Sequence, residues 1–167
     1  MGGVTPSGRA ADPAPAIDRY PGRGRDRPPL GLPGDARLHR RAEDIPTDPG
    51  AYVLALALTR PLAITIGGAT RMLGAGRYLY CGSAYGPGGL RARIARHLRP
   101  VKPVRWHIDR LTACTRVRGA WAFPGGDECA LARALAHLPT PVEGFGSSDC
   151  PDCRSHLFYW PRDLRQH

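Results

Sequence analysis

A chain of 167 residues, 42% of them apolar, has room for one ordinary domain with a real core. Its longest apolar run, Ala51 to Leu58, falls far short of the ~18 residues that span a bilayer, and no basic-then-apolar opening marks a secretory signal. The expectation is a soluble, cytoplasmic protein without a membrane partner, and its net charge of +10 favours a polyanionic partner.

Residues 1–45 are built from Arg, Pro, Gly, Asp and Ala without any sustained apolar run. Such a composition buries too little surface to offset its ordering entropy, so a disordered Arg/Pro/Gly-rich tail is expected there, ahead of one domain over 46–167. The turn Pro46-Thr47-Asp48-Pro49-Gly50 leads into the run 51–58, whose flanking Pro and Gly, with Tyr52 and Val53, favour a strand over a buried helix. Leu62 to Ile66 predicts a second strand, closed by Gly67-Gly68, and Gly76 to Gly82 a third. Short strands with tight turns suggest an antiparallel meander.

After Gly86-Pro87-Gly88-Gly89 the periodicity changes. Leu90, Ile94 and Leu98 recur every fourth residue, as on one stripe of an amphipathic helix, and Pro100 and Pro103 stop it. A short helix over 104–111 and a strand over 115–123 follow. Asp127 is placed to cap a helix running to about Leu138, and 155–160 has strand character. The fold class expected is α/β: a small, mainly antiparallel sheet flanked by helices.

Charge is concentrated in the expected domain. The tail holds 8 Arg against 6 acids, while 46–167 holds 16 basic against 8 acidic residues. Arg91, Arg93, Arg96, Arg99, Lys102, Arg105 and Arg110 crowd positions 91–110, opposed only by Asp109. A phosphate backbone is the commonest partner for such a cluster, although an Arg-rich genome produces arginine everywhere. Arg91, Arg96, Arg99, Lys102 and Arg105 are therefore candidate backbone contacts, with DNA the partner expected and RNA not distinguished from it.

Five cysteines without a secretory signal point to free thiols or metal ligands rather than a disulfide frame. Cys150-Pro151-Asp152-Cys153, His156 and the upstream Cys129 make a Cys/His set whose soft donors suit a structural zinc. Reduced buried thiols, or a loop lining a cleft through Ser147, Ser148 and Asp149, explain the same residues equally well.

Two Tyr-bearing strand segments, Gly50-Ala51-Tyr52 and Tyr80-Cys81-Gly82, precede the Arg-rich helix that carries Leu90-Arg91-Ala92-Arg93 and, one turn later, His97. This order resembles the GIY-YIG nuclease superfamily, whose second tripeptide is followed by a Leu-x-x-Arg helix start and then a His or Tyr. The central Ile of each tripeptide is replaced here, by Ala51 and Cys81, at positions that should point into the core. Arg96-His97-Leu98-Arg99, Trp106-His107-Ile108-Asp109 and Gly144–Cys150 near Ser155–Tyr159 are similar to the Uri-type endonuclease branch. The resemblance covers about residues 49 to 160.

It implies a metal-dependent endonuclease that hydrolyses phosphodiester bonds in DNA. Tyr52, Tyr80, Arg93, His97 and His107 would form the catalytic set. Arg93 would pair the phosphate, one tyrosine would help take a proton from water, and His97 would orient or shuttle a proton. A phenol with a free pKa of roughly 10 needs Arg93 or a cation nearby before it can act as a base. The resemblance further implies one Glu holding a divalent ion, usually Mg2+, and Glu128 is the candidate. Many relatives carry the ligand five residues further along the helix, where this chain has Arg133, which cannot bind a cation. A non-catalytic nucleic-acid-binding module on the same fold is the alternative.

Overall fold

The computed structural model describes residues 27–161. Strand β2 (Gly50–Leu58) runs through the middle of a five-stranded sheet and is buried along almost all of its length. Its neighbours are β5 (Gly76–Ser83) and β6 (Arg116–Pro124), and the edges are β7 (Leu157–Tyr159) beside β5 and β1 (Leu38–His39) beside β6. Every pairing is antiparallel. Because side chains alternate across a strand, Tyr52, Leu54, Leu56 and Leu58 face one core and Ala51, Val53 and Ala55 face another. That two-sided burial is why β2 reads as an unbroken apolar run.

The first core is closed by helices α1 (Gly89–Leu98) and α2 (His107–Cys114), through Leu90, Ile94, Ile108 and Leu111. The second is closed by α3 (Glu128–Ala134), through Leu131 and Ala132, with Trp121 of β6 between them. The result is the expected α/β sandwich with an antiparallel sheet. Ala51 and Cys81 both lie in the second core with no exposed surface, where a small apolar side chain suffices.

The start of α1 is built by the turn before β2. Leu90 N–H donates to the Asp48 carbonyl at 3.0 Å and Arg91 N–H to that of Pro46 at 3.0 Å, so donors that a helix leaves unpaired in its first turn find partners. Gly89 makes this approach possible, since a Cβ there would sit 2.1 Å from the Thr47 carbonyl oxygen. Asp127 caps α3 as expected, accepting the Ala130 N–H at 2.7 Å.

Four expectations need correction. The strand at Leu62–Ile66 (β3) does not join the main sheet as part of a meander. It pairs with β4 (Ala69–Leu73) as a separate hairpin, turned by Gly67 and Gly68 at φ 55° and 81°. Positive φ at both turn residues matches the twist of a two-residue hairpin, and β4 escaped notice because only Leu73 of it is buried. Helix α2 starts at His107 rather than 104, because Asp109 Oδ2 accepts the Arg105 and Trp106 N–H groups and sets the first turn there. Helix α3 ends at Ala134, and the chain continues to Leu138 in turns.

Finally, residues 27–45 are not tail-like. Leu32, Leu38 and Ile45 are buried, and β1 pairs Leu38 with Trp121. These apolar residues are too widely spaced to form a run, yet each meets a nonlocal partner. The rest of the expected tail, residues 1–26, lies outside the described residues.

Candidate active site

In the register of β2 with β5, Tyr52 faces Gly82 and Leu54 faces Tyr80. The two tyrosines are thus diagonal neighbours on one face of the sheet, the face covered by α1. Gly82 leaves room for the Tyr52 ring: a Cβ there would lie 2.4 Å from Tyr52 Oη. Tyr80 is held edge-on to Phe145 at 5.9 Å between ring centres, and Gly146 lies against its phenol.

Helix α1 brings Arg93 and His97 to this face, one turn apart. Tyr52 Oη and His97 Nε2 share a hydrogen bond of 2.7 Å inside the protein. The Arg93 guanidinium is partly buried and lies 4.3 Å from the centre of the Trp106 ring, with Arg96 over the same ring at 4.9 Å. Glu128 begins α3 at the end of the sheet, half-buried.

The electrostatics show that these groups share one neighbourhood. Burial raises the Tyr80 pKa, followed by the Glu128 carboxylate, while Arg93 opposes both. Tyr52 is raised by burial and by Tyr80, again against Arg93. Glu128 is itself raised by burial and by Asp127 and Asp149, with Arg93 opposing. Left to the protein alone, both phenols stay protonated. A further positive charge would favour the phenolate and the carboxylate together.

His97 is 1% exposed, and burial with nearby Lys102 lowers its pKa from 6.5 to about 3. It is a neutral imidazole. Its neighbour Asp109 has no exposed surface; burial raises its pKa, but the Arg105 N–H, the Arg96 guanidinium and the Trp106 N–H outweigh that and lower it. Both groups predict acid sensitivity of the same sign. The unfolded chain binds more protons than the fold as pH drops below 6.5 for His97, and below the ordinary carboxylate range for Asp109. Stability from these groups is therefore complete well above pH 6.5 and is lost progressively towards pH 3, with His97 alone worth on the order of 5 kcal/mol. Thermal unfolding followed between pH 7.5 and 4 checks this, and a flat Tm over that range excludes it.

Tyr52, Tyr80 and His97 thus share one face of the sheet, with the charges of Arg93 and Glu128 near enough to act on both phenols. Position 133, five residues along from Glu128, is an exposed Arg. His107 stands at the rim, exposed, its ring 6.3 Å from that of Phe145, which links it to Tyr80.

The expected backbone contacts divide. Arg96 binds Asp109 Oδ2 and the Pro103 carbonyl, both at 2.7 Å, and anchors α1 to α2. Lys102 donates to the His97 and Arg99 carbonyls at 3.1 and 2.9 Å, capping α1. Arg91 Nε donates to the Ile45 carbonyl at 2.7 Å. Arg99 and Arg105 are exposed beside them. Sequence reasoning did not find Trp106 as the platform for Arg93, nor Asp109 as the buried anchor of the basic helix. The near absence of acids around Asp109 was the only signal.

Glu128 is a single carboxylate on which the charges of Asp127 and Asp149 act. Separately, Cys129, Cys150, Cys153 and His156 place one donor atom each within 4.8 Å of one another.

Fold and site define an α/β domain whose sheet gathers two phenols, a guanidinium, an imidazole and a carboxylate around the end of a central antiparallel strand pair. The chain belongs to the family described as domain of unknown function DUF123, whose model matches residues 51–167. No curated protein and no solved structure matches it. No helix among the described residues is long and apolar enough to cross a membrane.

Proposed function

We propose that this protein is a metal-dependent endonuclease of the GIY-YIG type, close to the Uri branch, acting on DNA. The observation that carries the reading is the convergence of Tyr52, Tyr80, Arg93, His97 and Glu128, drawn from two strands and two helices, in the chain order that the resemblance requires. A phosphodiester repels nucleophiles with its own charge, so the catalyst must neutralise that charge and remove a proton from water. Arg93 offers a forked cation able to pair two phosphoryl oxygens, and its stack on Trp106 holds the fork in place.

The Tyr52 hydroxyl already faces a neutral imidazole. The bond to His97 holds the Tyr52 hydroxyl in place, and a positive charge beside the phenol would favour a phenolate able to take a proton from the water that attacks phosphorus. Tyr80, beside Glu128, supports the attacking side of the phosphate. Glu128 would hold a divalent ion, Mg2+ by its oxygen chemistry, which would supply Lewis-acid stabilisation of the phosphoryl and departing oxygens. Exposed Arg99 and Arg105 extend the positive surface along the nucleic acid, and His107 at the rim faces the strand entering the site.

The test is incubation with labelled branched, single-stranded and duplex DNAs, and their RNA counterparts, with and without magnesium. Cleavage is expected with magnesium, lost on chelation, and shifted to higher magnesium concentrations in Glu128→Gln. Tight, salt-dependent binding with no cleavage under any of these conditions would replace the enzyme by a nucleic-acid-binding module.

A further inference from the structure

We propose that Cys129, Cys150, Cys153 and His156 form a structural zinc site that ties the start of α3 to the long C-terminal loop and to β7. The four donors come from two segments of the chain, the start of α3 and residues 150–156, and lie within 4.8 Å of one another. A tetrahedral site with Zn–S of about 2.3 Å and Zn–N of about 2.0–2.1 Å puts its donors about 3.5–3.8 Å apart, so only small movements separate this cluster from a closed site.

All three sulfurs belong to free thiols, and Cys129 Sγ lies 2.9 Å from Cys150 Sγ. His156 is 1% exposed, and its Nε2 has no better contact than Cys129 Sγ at 3.9 Å. A buried imidazole nitrogen without a strong partner is costly, and coordination supplies the partner.

The location explains what a tie would accomplish. Residues 135–156 contain neither helix nor strand, an unusual length for a packed connection. The Gly144 N–H to Arg154 carbonyl bond at 2.7 Å and the His156 N–H to Phe145 carbonyl bond at 2.8 Å close the loop on itself. The Cys/His cluster fastens its far half to α3. Three thiolates and one imidazole are soft donors, which select zinc over magnesium, and four protein ligands leave no open position for substrate or water.

The site also braces the surroundings of Glu128 and Tyr80. Cys129 follows Glu128 directly, the His156 carbonyl accepts the N–H of Cys81 next to Tyr80 at 2.9 Å, and Gly146 within the tied loop lies on the Tyr80 ring. The zinc site stands independently of the nuclease reading, since its evidence is the cluster itself.

The experiment is metal analysis of the full chain purified without chelator, followed by cobalt reconstitution of metal-stripped protein. One zinc per chain is expected, with a cobalt spectrum showing the intense visible bands of a tetrahedral thiolate-rich site. Stripping should lower Tm and open three further thiols to reagent, beyond the exposed Cys114. Zinc should be absent from the Cys150→Ser/Cys153→Ser double variant and retained in Cys114→Ser. If the double variant does not fold, the cobalt spectrum and thiol count of the parent protein decide. Protein that carries no stoichiometric zinc and yields no such cobalt spectrum overturns the proposal, as does zinc retained in a folded double variant or a Cys129–Cys150 disulfide found by mass. Zinc without any DNA cleavage would count against the nuclease reading alone.

Discussion

Arg93→Ala should lower magnesium-dependent cleavage by about 10²–10³-fold, the usual effect of removing one preorganised donor to the charge that develops in the transition state. Three observations single out this arginine among its neighbours. Its charge acts on Tyr52, Tyr80, His97 and Glu128 together. Its guanidinium lies on the Trp106 ring at 4.3 Å, and among the described residues no carboxylate forms an ion pair with it. It is also partly buried, where a charge acts with less screening. Arg93→Lys should recover little, because an ammonium cannot offer a planar pair of donors. The check is single-turnover cleavage alongside thermal unfolding, with Tm expected within a few degrees of the parent. Activity above a tenth of the parent's in a folded Arg93→Ala protein is incompatible with the proposed role.

Gly82→Ala should be as damaging by another route. The new Cβ would meet Tyr52 Oη at 2.4 Å and Cζ at 2.5 Å. The Tyr52 ring has nowhere to go, being 2% exposed and bonded to His97. Overpacking of this kind costs about 1–3 kcal/mol, and here the strain falls on a phenol of the site. Both a lower Tm and a nearly complete loss of cleavage are expected. Gly74→Ala is the matched control, since a Cβ at Gly74 meets nothing within 4 Å. Equal activity of the two variants would mean that the position of Tyr52 is irrelevant to the chemistry.

Much of the frame was legible because it is written in local periodicity. The unbroken apolar run of β2, the four-residue spacing of α1 and the Asp127 cap each depend on neighbours a few residues away, and each appears where expected. Ala51 and Cys81 point inward for the same reason, since alternation along a strand needs no knowledge of its partner. Even the members of the Cys/His set could be named. Their gathering could not, because it takes a loop without regular structure to deliver Cys150, Cys153 and His156 to Cys129.

What stayed hidden depends on partners distant in sequence. Leu38 becomes a strand residue only because the β6 edge offers Trp121 opposite it. Arg96, Lys102 and Arg93 look alike in a basic helix, yet the fold places Asp109 under the first, carbonyls under the second and Trp106 under the third. The sequence by itself determined which segments bury which faces and which reactive side chains the chain carries, because hydrophobic spacing is a local property. Tertiary structure alone decided which cation meets a carboxylate, which meets carbonyls and which meets a ring, because hydrogen bonds and ring stacks are made by whichever groups the packing brings within a few ångströms.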